Sequence, residues 1–223
     1  MYYILVFYHT FKKFARIKEK SILFLYSVNN LPKENLMNEV YAFSTFYDYT
    51  KKGIVDALKN FAPENKNFAV ICIGSDLILG DSLGPLVGTM LKNAGASCYV
   101  YGNLTRPITA KEIGYAKNYV KKTHPDSFII AVDAAIGNKE DVGTVKVSAG
   151  SLRPGLGVDK KLGKIGDVSV IGVVASRSLQ NYNLFNLTRL SLVYKMAETI
   201  AAGISEFSGA SDFTLKKEKP LAI

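Results

Sequence analysis

A chain of 223 residues with 48% hydrophobic and 21% charged side chains has the balance of a folded, core-bearing protein, which excludes intrinsic disorder and suits one domain of ordinary size. The net charge of +9 does not mark a nucleic-acid binder, because residues 1–36 alone hold six Lys/Arg against two Asp/Glu and much of the remainder is scattered singly. No apolar stretch reaches the roughly 18 residues that would span a bilayer, and two cysteines, Cys72 and Cys98 in apolar runs, suit buried thiols in a reducing, cytoplasmic-type compartment.

In chain order, residues 1–36 read as an N-terminal extension. Their apolar start, Met1 to Tyr8, precedes Lys12, Lys13, Arg16, Lys18 and Lys20, the wrong order for a secretory signal. A basic, aromatic segment of this kind can lie on an anionic membrane surface; the plainer expectation is that the domain starts at Met37. Tyr49 to Phe61 is predicted as a helix with Ile54, Leu58 and Phe61 on one face. Phe68–Ile73 reads as a buried strand, Ser82 to Ala94 as a helix ended by Gly95, and Ser97–Tyr101 as a strand. Thr109 to Lys122 is predicted as a helix, with Thr109 as N-cap and Glu112 completing a capping box.

Phe128–Val132 is the next strand. Gly143–Ala149 alternates Val145 and Val147 against Lys146 and Ser148, as a half-exposed strand at a sheet edge would. Val168–Val174 is a further buried strand. Asn183 then caps a helix to about Phe207, striped by Leu187, Leu190, Val193, Met196, Ile200 and Ile204. Residues 209–223, with Lys216, Lys217 and Lys219, read as a flexible basic tail. Such alternation predicts an α/β fold over residues 37–208: a three-layer αβα sandwich with a mainly parallel central sheet.

Two of these strands run into carboxylates. Phe68–Ile73 leads through Gly74, Ser75 and Asp76 to Gly80, Asp81 and Ser82; Phe128–Val132 stops at Asp133. Ligands of open α/β sheets bind beyond the carboxyl ends of the strands, so Asp81 and Asp133 are the candidate acid–base pair, with Gly74, Ser75, Asp76 and Ser82 around a substrate. The loop is no phosphate cradle, because Asp81-Ser82 stands where that motif has Lys-Ser/Thr. Asp81 can equally cap the helix that follows, and Asp133 can simply accept nearby loop amides. A third stretch, Gly150 to Gly163, carries Arg153, Gly155, Gly157 and Lys160, whose amides and charges suit a substrate backbone or an oxyanion; a flexible surface loop is its plain alternative. There is no G-x-S-x-G. The two histidines are His9, in the extension, and His124, expected to be solvated or capping, so neither a nucleophile elbow nor a zinc site is expected.

Three motifs recur together: Ile73-Gly-Ser…Gly80-Asp81-Ser-Leu-Gly84-Pro85, Ala131-Val-Asp133-Ala, and Pro154-Gly-Leu-Gly157-Val…Lys160…Leu162-Gly followed by Val168-Ser-Val-Ile-Gly172-Val. In these the chain resembles the YyaC group of spore-protease-related proteins over about residues 40–207. More distantly it is similar to the germination protease and to the hydrogenase maturation peptidases. The resemblance implies a peptidase-type cleft in a cytoplasmic protein of a sporulating cell (forespore or mother cell), in which Asp81 and Asp133 match the two functional aspartates of the germination protease. It also implies a protein or peptide substrate such as small acid-soluble spore proteins, with no cofactor. The hydrogenase peptidases bind metal through a glutamate, an aspartate and a histidine; Ser82 stands at the glutamate's place here and the central strands carry no histidine, so a metal-free site is implied. Homo-oligomers are compatible with this reading. Its rival is a non-catalytic peptide- or anion-binding protein that keeps the fold.

Overall fold

The computed structural model describes residues 40–63, 66–152, 164–177 and 188–209. The chain divides into two units, Met1–Met37 and Asn38–Ile223, and the fold is that of the second. Among the described residues six strands, β1 (Val40–Ser44), β2 (Phe68–Cys72), β3 (Tyr99–Tyr101), β4 (Phe128–Gly137), β5 (Thr144–Ala149) and β6 (Val168–Ser176), form one sheet in the order β1-β5-β6-β4-β2-β3. Neighbours from β6 through β4 and β2 to β3 pair parallel, while β5 pairs antiparallel with both β6 and β1. Every strand except β5 therefore runs the same way, and the carboxyl ends of β2 and β4 open on one edge.

Among the described residues four α-helices cover it: α1 (Thr50–Phe61), α2 (Leu83–Ala94), α3 (Ile113–Thr123) and α4 (Leu190–Phe207). Successive strand residues point to opposite faces. Ala69, Ile71, Ile129 and Ala131 therefore share a core with Ile113, Ala116 and Val120 of α3. The intervening residues of β2 and β4 face the layer in which α4 packs on α1 and α2. These are the three layers that the alternating pattern predicts.

Close approach between layers depends on glycine. A Cβ on Gly84 would lie 2.0 Å from the Ile73 carbonyl oxygen, and one on Gly88 would lie 1.8 Å from that of Gly102. With no side chain at two positions one turn apart, α2 presses its backbone against the strand ends. On β6, a Cβ at Gly172 would meet Leu83 and Met196 at 2.3 Å, so α2 and α4 both rest on that strand.

Several elements depart from expectation. β5 is not the edge strand: Val40–Ser44, too short and mixed to stand out, pairs outside it. β4 continues five residues past Val132, because Ala134, Ala135 and Ile136 still find partners on β6. Thr109 and Glu112 do bond to each other, Thr109 N–H donating to Glu112 Oε2 at 3.0 Å, but the regular helix begins only at Ile113. His124 is the C-cap of α3, its backbone N–H donating to Val120 O at 2.8 Å, but its half-buried side chain is not free: it stacks on Tyr99 at 3.7 Å between centroids and hydrogen-bonds the Tyr101 hydroxyl at 2.6 Å. Cys72 is buried and Cys98 half-buried. Asn183, Leu187 and the tail beyond residue 209 lie outside the described residues.

Candidate active site

β2 ends where Gly74 turns the chain. Its φ of +142° lies in the region that favours glycine, and a Cβ there would sit 2.0 Å from the Asp81 carbonyl oxygen. The Gly74 N–H donates to Ile108 O at 3.0 Å, and the Ser75 N–H donates to Asp81 O at 3.1 Å. The seven-residue excursion thus closes on itself and delivers Asp81, within the short 3₁₀ turn Gly80–Ser82, to the strand end. Asp81 is not the cap of α2. That position belongs to Ser82, which makes no side-chain cap bond. Ser82 is buried, and its hydroxyl donates to Leu79 O at 2.7 Å.

Asp133 reaches the same place from β4. It lies within the strand, not at its end, one residue beyond Val132, the last β4 residue paired with β2. On one side its β6 partner is Ile171; on the other, Ile73 continues β2 and donates its N–H to Val132 O at 2.8 Å. Asp133 therefore sits in an apolar row. Its Oδ1 accepts the Ala134 N–H at 2.9 Å.

Electrostatics follow from this placement. Asp133 is half-buried, yet its carboxyl is pushed up to about 8, first by burial and then by the charge of Asp81, with the Ala134 amide opposing the rise. Burial also raises Asp81, and the Ser75 backbone amide partly offsets the rise. Asp133 therefore stays protonated near neutrality, and the neighbouring Asp81 charge is the second cause of that after burial.

Of the other predicted site residues, Gly74 and Ser75 shape the Asp81 loop, Ser75 Oγ accepting the Leu77 N–H at 3.2 Å. Asp76 is exposed at the loop's outer side. Arg153, Gly155, Gly157 and Lys160 lie outside the described residues. Sequence reasoning missed Lys146: its register partner is Ile171, so it lies on the face of Asp133 two strands away, about 10 Å at ~4.8 Å per strand. The outward phase of Lys146 was readable; its neighbours were not, because register cannot be read from one strand. Lys146 pairs with Asp141 at 3.0 Å.

Residues 38–203 match the protein family of unknown function DUF1256. The chain belongs to that family. It is 41% identical over 141 residues to the uncharacterized protein YyaC of Bacillus subtilis (strain 168), covering 63% of this chain and 69% of that protein, in agreement with the motif resemblance. Among solved structures it is similar to the [NiFe] hydrogenase maturation protease HycI from Thermococcus kodakarensis KOD1, at 19% identity and a TM-score of 0.46 over 69% of this chain and 97% of that one. Among the described residues no three His, Cys, Asp or Glu side chains group as metal ligands, and Ser82 offers only a hydroxyl already bonded to Leu79. Within the described residues, no helix is long and apolar enough to cross a membrane.

Proposed function

We propose that the protein is a peptidase in which Asp81 and Asp133 divide the acid–base work. The observation that carries this reading is the convergence of two carboxyls, from the turn after β2 and from within β4, on one electrostatic environment at the sheet's carboxyl edge. Near neutral pH Asp133 keeps its proton and Asp81 carries the charge. Asp81 accepts a proton from water as the water attacks a peptide carbonyl; Asp133 donates to the carbonyl oxygen as negative charge develops there. As the C–N bond breaks, Asp81 passes its proton to the leaving amine and a hydroxyl of the gem-diol intermediate gives its proton back to Asp133, so a carboxylic acid product forms and both carboxyls return to their starting states.

The motif resemblance supplies the substrate class, a protein segment, with small acid-soluble spore proteins as the candidates. Cleavage assays with those proteins, run beside Asp81→Asn and Asp133→Asn, test the proposal. A non-catalytic binding role draws on the Ala134 N–H, which already occupies one Asp133 oxygen. In that role Asp133→Asn changes peptide binding modestly and there is no cleavage to abolish.

A further inference from the structure

A cavity of about 160 Å³ opens at the amino ends of β4 and β6 beside α3, against the roughly 10–15 Å³ that admits one water. It is not the aspartate site. Its wall includes Ile129, four residues before Asp133 on β4, about 13 Å at ~3.3 Å per residue.

Three lysines are among its lining residues: Lys117 and Lys121, one turn apart on α3, and Lys164. Among the described residues none of them lies within ion-pair distance of a carboxylate. Lys117 Nζ donates to Lys164 O at 2.7 Å, which holds that ammonium at the rim with further N–H groups to spare. The one carboxylate in the lining, Asp167, has Oδ2 committed to the Ile129 N–H at 2.9 Å, and the lysines outnumber it. The backbone N–H groups of Ser151 and Gly166, also in the wall, meet no acceptor among the described residues. Gly166 keeps φ at +90°, and a side chain there would strike Ala131 Cβ at 2.8 Å, so the floor at that point is bare backbone.

We propose that this cavity binds a phosphate-type oxyanion. Lysines act as point charges for phosphate, amides supply directed donors, and an anion relieves the repulsion between like charges at i and i+4 on α3.

The test uses the full chain at constant ionic strength, set with sodium chloride. Inorganic phosphate, glycerol phosphate and acetate are titrated in turn, and binding is read by thermal unfolding and, for the phosphates, by ³¹P line broadening. Lys117→Gln/Lys121→Gln is run in parallel, with Lys164→Gln as a single variant whose folding does not depend on α3. The expected result is a saturable rise in melting temperature with inorganic phosphate, absent with acetate, and binding at least ten-fold weaker in either variant. Tighter binding of glycerol phosphate would identify a phosphate ester as the natural source; equal or weaker binding would identify the free anion. No saturable response beyond the chloride control, an equal response to acetate, or undiminished binding in the folded variants would overturn the proposal.

Discussion

The carboxyl of Asp133 feels the charge of Asp81, although one stands inside β4 and the other arrives in the turn after β2. Two features bring them together: the glycine at 74, which lets the loop close on the Asp81 carbonyl, and the glycine at 84, which lets α2 start against Ile73. Burial among apolar neighbours then makes the pair reluctant to hold two charges.

The coupling is directly measurable. Removing the Asp81 charge with Asp81→Asn should lower the Asp133 titration from about 8, but not to the ordinary aspartate value, because burial is the larger cause. Carboxyl ¹³C chemical shifts against pH would show this. An unchanged midpoint would mean that the two groups are independent.

Stability should depend on pH through Asp133. Its ordinary value of ~3.9 is raised to about 8 in the folded protein. Between those limits the native state holds a proton that the unfolded chain has lost. The stability associated with the neutral group is therefore complete below about pH 4 and declines as pH rises to about 8. Asp133→Asn removes the decline. Relative to wild type, the variant should gain about 1–3 kcal/mol between pH 5 and pH 8.5, a range that allows for the residue's partial exposure. Urea denaturation at the two pH values measures the difference, and a constant gap would contradict the raised carboxyl.

Two glycine-to-alanine changes should have opposite signs. Gly84→Ala drives a Cβ to 2.0 Å from the Ile73 backbone, so a loss of roughly 3 kcal/mol or more, or failure to fold, is expected. Gly114→Ala in α3 meets nothing within 4 Å and should stabilise by about 0.5–1 kcal/mol. Thermal melts of the two variants beside wild type decide the matter.

For a peptidase working through this pair, the pH profile of kcat/KM should be bell-shaped. The acid limb reports ionisation of the coupled pair's first proton and lies above the ordinary aspartate value, since Asp81 is raised. The alkaline limb, near pH 8, reports loss of the proton held by Asp133. A profile flat through pH 8 would remove Asp133 from the role of acid.

Much of this was legible in the sequence because parallel strands buried on both faces are written as unbroken apolar runs. Phe68–Ile73, Phe128–Val132 and Val168–Val174 all fall on observed strands; Asp133 stood out by ending such a run and Asp81 by following one across a single loop. Features set by pairing were not legible. β1 and the tail of β4 carry no strong apolar signal of their own and exist because β5 and β6 offer them partners. Ser82 looked like a substrate ligand but turns inward to Leu79, a choice made by the 3₁₀ turn rather than by residue type. The apolar row that raises Asp133, with Ile171 beside it, follows from register, which no single segment encodes.

The measurement that bears most directly on the central claim incubates the full-length protein with small acid-soluble spore proteins and with a general peptide library from pH 4 to pH 9. Products are read by mass spectrometry beside Asp81→Asn and Asp133→Asn. Discrete fragments from wild type, reduced about 10²–10⁴-fold in rate by either substitution, are the predicted result. No fragments at any pH from a folded protein, or fragments that both variants produce at the wild-type rate, would contradict it.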